Sequence, residues 1–157
     1  MARYTVRLDT APAGHSLPPL LVDFGKWLGT QTYGSLGDFE LIATAVPQEW
    51  NPKVAERLQR DAFCFLNLPD GSLLALLRFD AEAPWAVVLL GSEGESRTIS
   101  SSLEGLLHAI AEGNTDISDI DDDGDGREAL SDWLDDARVD VPDVADALDF
   151  NVYLSAG

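Results

Sequence analysis

One cysteine, two histidines and two lysines are all that the 157 residues hold of three chemically versatile side chains. A single thiol, Cys64, excludes an internal disulfide. It lies between Phe63 and Phe65, which points to a buried, inert thiol, because nothing positive is at hand to lower its pKa. His15 falls in a Pro/Gly loop and His108 in an amphipathic segment. Neither has an acid–base partner in view, so general acid–base catalysis lacks its pair. The G-x-S-x-G, Walker A, H-E-x-x-H and C-x-x-C patterns are missing as well. Neither enzymatic activity nor a cofactor is expected. No apolar run approaches the length of a membrane span. Met1 to Arg7 has no apolar core of a cleavable signal, and the expected compartment is the cytoplasm.

Positive charge is also scarce. Ten Lys and Arg face 28 Asp and Glu, for a net charge of −18, and lysine occurs only at Lys26 and Lys53. The imbalance is uneven: residues 116–149 hold 14 of the 28 acids and only Arg127 and Arg138 as bases. Such a field repels nucleic acid and anionic lipid and attracts basic proteins or cations. Aspartate outnumbers glutamate 19 to 9, a bias that general solubility or salt adaptation explains equally well.

What the chain does have is apolar content, 45% of its residues, enough for one domain with a real core. Its organising stretch runs from Phe63 to Gly113. Leu68-Pro69-Asp70-Gly71-Ser72 is a turn. Ser72–Phe79 and Trp85–Leu90 are short unbroken apolar runs, which reads as strands buried on both faces. Short connectors make antiparallel pairing the default. The glycines of Gly91-Ser-Glu-Gly94 predict a hairpin turn into Arg97–Ser100, and two glutamates there make phosphate a poor guest. Ser101 to Glu104 has capping-box spacing, and Leu103, Leu106, Leu107 and Ile110 follow as one helical stripe closed by Gly113.

On the N-terminal side, Tyr4–Leu8 predicts an edge strand and Leu20–Leu28 a helix interrupted by Gly25. Phe39–Val46 predicts a strand. Asn51-Pro52 predicts a helix start, with Lys53, Glu56, Arg57 and Arg60 on a solvated face. On the C-terminal side, Arg127–Arg138 predicts a helix with Leu130, Trp133, Leu134 and Ala137 inward. A further short helix is expected from Asp140, and the alternation of Phe150–Leu154 suggests a terminal strand.

Three constellations invite a ligand. Asp119, Asp121, Asp123, Gly124 and Asp125 follow calcium-loop spacing, but Gly126 and Leu130 occupy its aliphatic position and its bidentate-acid position. Six acids in ten residues produce such spacing without selection for calcium. Glu104, His108 and Glu112 form an i, i+4, i+8 stripe with no further zinc ligand, which reads as an exposed histidine between acids. The third is the acidic face itself. Glu128–Asp132 and Asp132–Asp136 are like-charge i, i+4 pairs, each costing about 0.2–0.5 kcal/mol in an isolated helix. Asp135 and Asp136 also oppose the macrodipole at the helix C-terminus. Helix stability alone does not select that arrangement, which is an argument for a task outside the fold.

Strand, LPDGS (68–72), two apolar strands with VVLLGSEGE (87–95) and the capped helix SSLEGLLHAIAEG (101–113) together resemble the SUKH superfamily, over about residues 60–113. That superfamily has a fungal cell-wall regulator branch and many bacterial immunity proteins. The fold expected is a single α+β domain over residues 1–157, with a mostly antiparallel central sheet of about 4–6 strands flanked by helices, and residues 114–157 read from their own pattern as an acidic helical extension. The resemblance implies a single α+β domain with a mixed or antiparallel sheet flanked by helices. It also implies no catalysis, and a role as an antidote that neutralises a toxin, often a nuclease or nucleic-acid deaminase. The charge distribution agrees, since aspartates can occupy a cationic groove as phosphate mimics. The expected partner is therefore a basic protein, with no nucleic acid and no membrane, bound by a monomer or weak homodimer. The expected partner-facing residues are Asp121, Asp122, Asp123, Asp125, Asp132, Asp135 and Asp136. The competing reading is a small-molecule or metal-binding regulator with an apolar cleft lined by Trp27, Tyr33 or Trp50.

Overall fold

The Asp70-Gly71 turn sets the centre of the sheet. Leu68 N donates to Ser72 O (2.9 Å), Gly71 N to Leu68 O (3.1 Å), and the Asp70 carboxylate accepts from Ser72 N (2.9 Å). This closes the hairpin between β3 (Ala62–Asn67) and β4 (Leu73–Leu77). β5 (Ala86–Leu90) and β6 (Ser96–Ser100) add on one side, both antiparallel. β2 (Glu40–Thr44) adds antiparallel on the other side, and the short β1 (Val6–Arg7) lies at the edge. The computed structural model describes residues 2–8, 15–78, 85–113, 117, 120, 126–141 and 149–155. Among them the six strands form one sheet in sequence order, β1 to β6. The fold is α+β with a mostly antiparallel sheet, as expected.

One pairing departs from that rule. β1 runs parallel to β2, Val6 opposite Leu41, because α1 (Pro19–Leu28) lies between them in the chain as a crossover. Gly25 explains how α1 sits there: a Cβ at that position would lie 2.6 Å from Leu8 Cδ1 and 3.1 Å from Val6 Cγ1. The glycine that interrupts the helical stripe is the one that lets the helix reach the strand.

The central strands do not alternate because both faces are covered. Phe63, Phe65, Leu74, Leu76 and Val87 belong to a core shared with α1, α3 (Leu103–Glu112) and α4 (Gly126–Asp136). Cys64, Ala75, Leu77, Val88 and Leu90 belong to a second core. That second layer comes from α2 (Ala55–Asp61), from Trp50 and from α5 (Phe150–Ser155). A bulge between Cys64 and Leu66 puts both Phe65 and Leu66 into the first core.

Four expectations about the ends, faces and type of these elements need correction. α3 is capped by Ser102, not Ser101: the Ser102 hydroxyl accepts from Gly105 N (3.0 Å) while Gly113 closes the helix at φ 72. Ser102→Ala is expected to cost about 1 kcal/mol in chemical denaturation, with Ser101→Ala near zero. α2 begins at Ala55, not at Pro52. Asn51–Val54 is a separate turn, Val54 N to Asn51 O (3.1 Å), and Trp50 ahead of it is fixed by its indole donating to Gly91 O (2.9 Å). Its basic face is not merely solvated, since Arg57 donates to Tyr153 O (2.8 Å) and lies 4.5 Å from the Tyr153 ring centroid.

The fourth correction is the largest. Phe150–Ser155 is a helix, not a strand. The Asp149 carboxylate accepts from Asn151 N (3.0 Å) and Val152 N (3.3 Å), which caps the helix. Phe150, Tyr153 and Leu154, at i, i+3 and i+4, then face the second core, while Val152 is 61% exposed. The helix expected from Asp140 onward lies largely outside the described residues.

Candidate protein-interaction surface

α4 is anchored before it is charged. Its first residue, Gly126, donates its N–H to Ser35 O (3.0 Å). Leu130 and Leu134 are fully buried. Trp133 packs inward as expected, its ring 5.8 Å from Trp27 and 6.0 Å from Phe24. Each buried leucine is worth about 1.5–3 kcal/mol, against about 0.2–0.5 kcal/mol for each like-charge pair. Packing decides the outcome, and the helix tolerates its acids.

Those acids share the outward side. Glu128, Asp132, Asp135 and Asp136 follow at i, i+4, i+7 and i+8, and all four are exposed. Among the described residues none of them is in an ion pair. Two residues past the end of α4, Arg138 has a φ of 56, the left-handed conformation a glycine adopts more cheaply, and Val139 N closes on Leu134 O (3.0 Å). The structure thus brings Asp132, Asp135 and Asp136 together on one exposed stripe. Asp121, Asp122, Asp123 and Asp125, and with them the calcium-like spacing from Asp119, lie outside the described residues.

The remaining reactive side chains are engaged in packing. His108 is not an exposed histidine between acids: it is half-buried and its Nε2 donates to Val139 O (2.7 Å), tying the chain after α4 to α3. A nitrogen carrying that proton is not free to ligate zinc. His15, expected to be exposed, is also half-buried; its Nε2 donates to Gln59 O (2.8 Å) and its ring is 5.3 Å from that of Phe63. Burial pushes the Cys64 thiol up to about 12, so at neutral pH it carries its proton. Among the described residues no group of three or more His, Cys, Asp or Glu is placed to hold a metal ion.

Two of the three aromatics expected to line a cleft are used in stacks: Trp27 lies on Phe24 and Trp133, and Trp50 on Phe150 at 6.0 Å and 9°. Tyr33, in contrast, lines two surface cavities.

Sequence reading missed one polar cluster. Asp61, 8% exposed, accepts from the Tyr153 hydroxyl (2.7 Å) and from Arg60 Nε (3.1 Å). Burial raises its carboxyl, but the Arg60 and Tyr153 hydrogen bonds and the Arg57 charge together outweigh it and hold the group below the usual carboxylate range. Tyr153 moves the opposite way, raised by burial and by Asp61. The two lie 92 residues apart, so no local spacing announces them. Their effect is to fasten α5 to α2.

No family model, curated protein or solved structure matches this chain. Among the described residues no helix is long and apolar enough to cross a membrane.

Proposed function

We propose that this chain is a non-catalytic, SUKH-like module of the immunity type. It neutralises a basic partner, such as a nuclease-type toxin, by docking its acidic surface into the partner's cationic groove. It acts in the cytoplasm as a monomer or weak homodimer. The observation that carries this reading is the exposed stripe Asp132, Asp135 and Asp136, retained on a helix that the charges destabilise and in no ion pair among the described residues. In this reading Asp121, Asp122, Asp123 and Asp125, which precede α4 in the sequence, extend the same negative surface. Two histidines bonded to backbone carbonyls and a protonated, buried thiol support a non-catalytic role.

The test is the triple variant Asp132→Asn, Asp135→Asn, Asp136→Asn, titrated against a basic nuclease-type toxin domain. At low salt its affinity is expected to fall by about threefold to a hundredfold, at about 0.2–1 kcal/mol for each of three exposed pairs. The same variant is expected to unfold at a slightly higher temperature, because two like-charge contacts and the clash with the macrodipole are gone. Affinity unchanged in a folded variant rejects the acidic-stripe model. Lower stability would show that the aspartates serve the fold instead.

A further inference from the structure

Among the described residues Tyr33 is the one exposed aromatic, at 39%. It is nonetheless held in place. Its N–H donates to Ala2 O (2.9 Å), and its ring leans on Tyr4 with 5.1 Å between centroids. Tyr4 is itself fixed, its buried hydroxyl donating to Gly37 O (2.7 Å) and accepting from Leu36 N (2.8 Å). An aromatic ordered in advance loses little entropy on receiving a ligand.

Beside Tyr33 is a notch of about 230 Å³, lined by Tyr33, Phe39, Glu40, Asn67, Leu68 and Pro69. Glu40 and Asn67 are cross-strand neighbours in β2 and β3, which brings a carboxylate and an amide to one mouth. Phe39 and Leu68 are buried and give the notch an apolar lining. Asp38 and Glu40 are both exposed, and among the described residues neither is in an ion pair. Burial, and then the charges of those two acids, push the Tyr33 phenol up.

We propose that this notch seats an arginine side chain presented by the protein partner. The chemistry selects that occupant. The Glu40 carboxylate at the mouth, with the exposed Asp38 two residues before it in the chain, disfavours a phosphate or any other anion. The tyrosine ring attracts a cation over its π-system, and the carboxylate matches the planar fork of a guanidinium. Apolar walls accommodate the methylene stem. A lysine ammonium satisfies the charge but neither the stacking nor the fork.

Tyr33 also borders a second, larger cavity whose far wall is Gly126 and Ala129 of α4. The notch and the N-terminal turn of the helix that carries the acidic stripe therefore border one loop, residues 31–35. The proposal rests on the reading of α4 as a docking surface for a basic protein, and adds an anchoring pocket at its border.

The test uses the isotope-labelled full chain, the capped peptide Ac-Gly-Arg-Gly-NH2, and its neutral citrulline counterpart. Amide shifts are expected to concentrate at Tyr33, Gly34, Glu40 and Asn67 and to saturate at millimolar arginine peptide, with citrulline producing little change. Glu40→Gln is expected to weaken binding about threefold. Tyr33→Leu is expected to do so by a similar factor, about threefold. Both residues are exposed, and a Glu40→Gln variant with native amide dispersion guards against misreading a folding defect. Equal shifts from citrulline, or shifts confined to α4, overturn the notch and leave the acidic stripe standing. Shifts at the notch, combined with a triple aspartate variant of unchanged partner affinity, keep the notch and remove the stripe.

Discussion

Phe150→Ala is expected to lower the unfolding free energy by about 3–5 kcal/mol, while Val152→Ala, two residues on, is expected to change it by less than about 0.5 kcal/mol. Phe150 is fully buried, stacked against Trp50 at 6.0 Å and against Tyr153 at 6.2 Å. Removing its ring leaves a hole between α5 and the second face of the sheet, where Cys64, Ala75 and Val88 are small and cannot fill it. Its backbone N–H also donates to Thr98 Oγ1 (2.8 Å), so α5 is pinned to β6 at the same point. The pair of variants separates helix from strand. A strand places Phe150, Val152 and Leu154 on one face, and Val152→Ala then costs as a buried position does. A helix leaves Val152 in solvent. Urea denaturation of both variants decides between them.

The second large effect concerns Asp61. Asp61→Asn is expected to cost about 1–3 kcal/mol at neutral pH, because a half-buried hydroxyl and an exposed guanidinium lose their charged acceptor. The pH dependence follows from the direction of its shift. A carboxyl held below its unfolded value, about 3.9, contributes stability that is complete above that value and is lost as pH falls through the folded pKa. The other carboxylates complicate the raw curve: with a net charge of −18, protonating them relieves repulsion and favours the folded state. The informative quantity is the difference between wild type and Asp61→Asn. That difference is expected to be flat from neutrality down to about pH 4 and to shrink below it. A difference that grows on acidification contradicts the assigned hydrogen bonds.

The central sheet and α3 were legible because their signals are local. Asp70-Gly71 makes a turn wherever it occurs, the leucines of 73–77 have no polar neighbour to alternate with, and Leu103, Leu106, Leu107 and Ile110 fit one helical face only. Other features depend on partners distant in sequence. Phe-Asn-Val-Tyr-Leu satisfies both a period of two and an i, i+3, i+4 stripe; the Asp149 cap and the Trp50 stack settle it, and Trp50 is 100 residues away. Arg57 looked like a solvated cation because its acceptors, the carbonyls of Tyr153 and Leu154, belong to that same misread helix. His108 looked exposed because Val139, which covers its nitrogen, follows a different helix. The acidic stripe was legible from its i, i+4 spacing. The Tyr33 notch was not, because Glu40 and Asn67 meet only through the β2–β3 register.

A division of labour emerges between the two faces of the sheet. The second face ends in a fastened helix, with Phe150, Tyr153 and Asp61 used for stability. On the first face the outermost helix, α4, gives its leucines and Trp133 to the core and its aspartates to solvent. Long-range attraction between such a stripe and a cationic groove raises the association rate more than it slows dissociation.

The association rate constant with the proposed basic partner, measured as salt is raised, tests this most directly. The account predicts a wild-type rate that falls steeply with ionic strength, and an Asp132/Asp135/Asp136→Asn variant that binds about tenfold more slowly at low salt and converges with wild type at high salt. Rates that coincide at low salt, with the variant folded, contradict it.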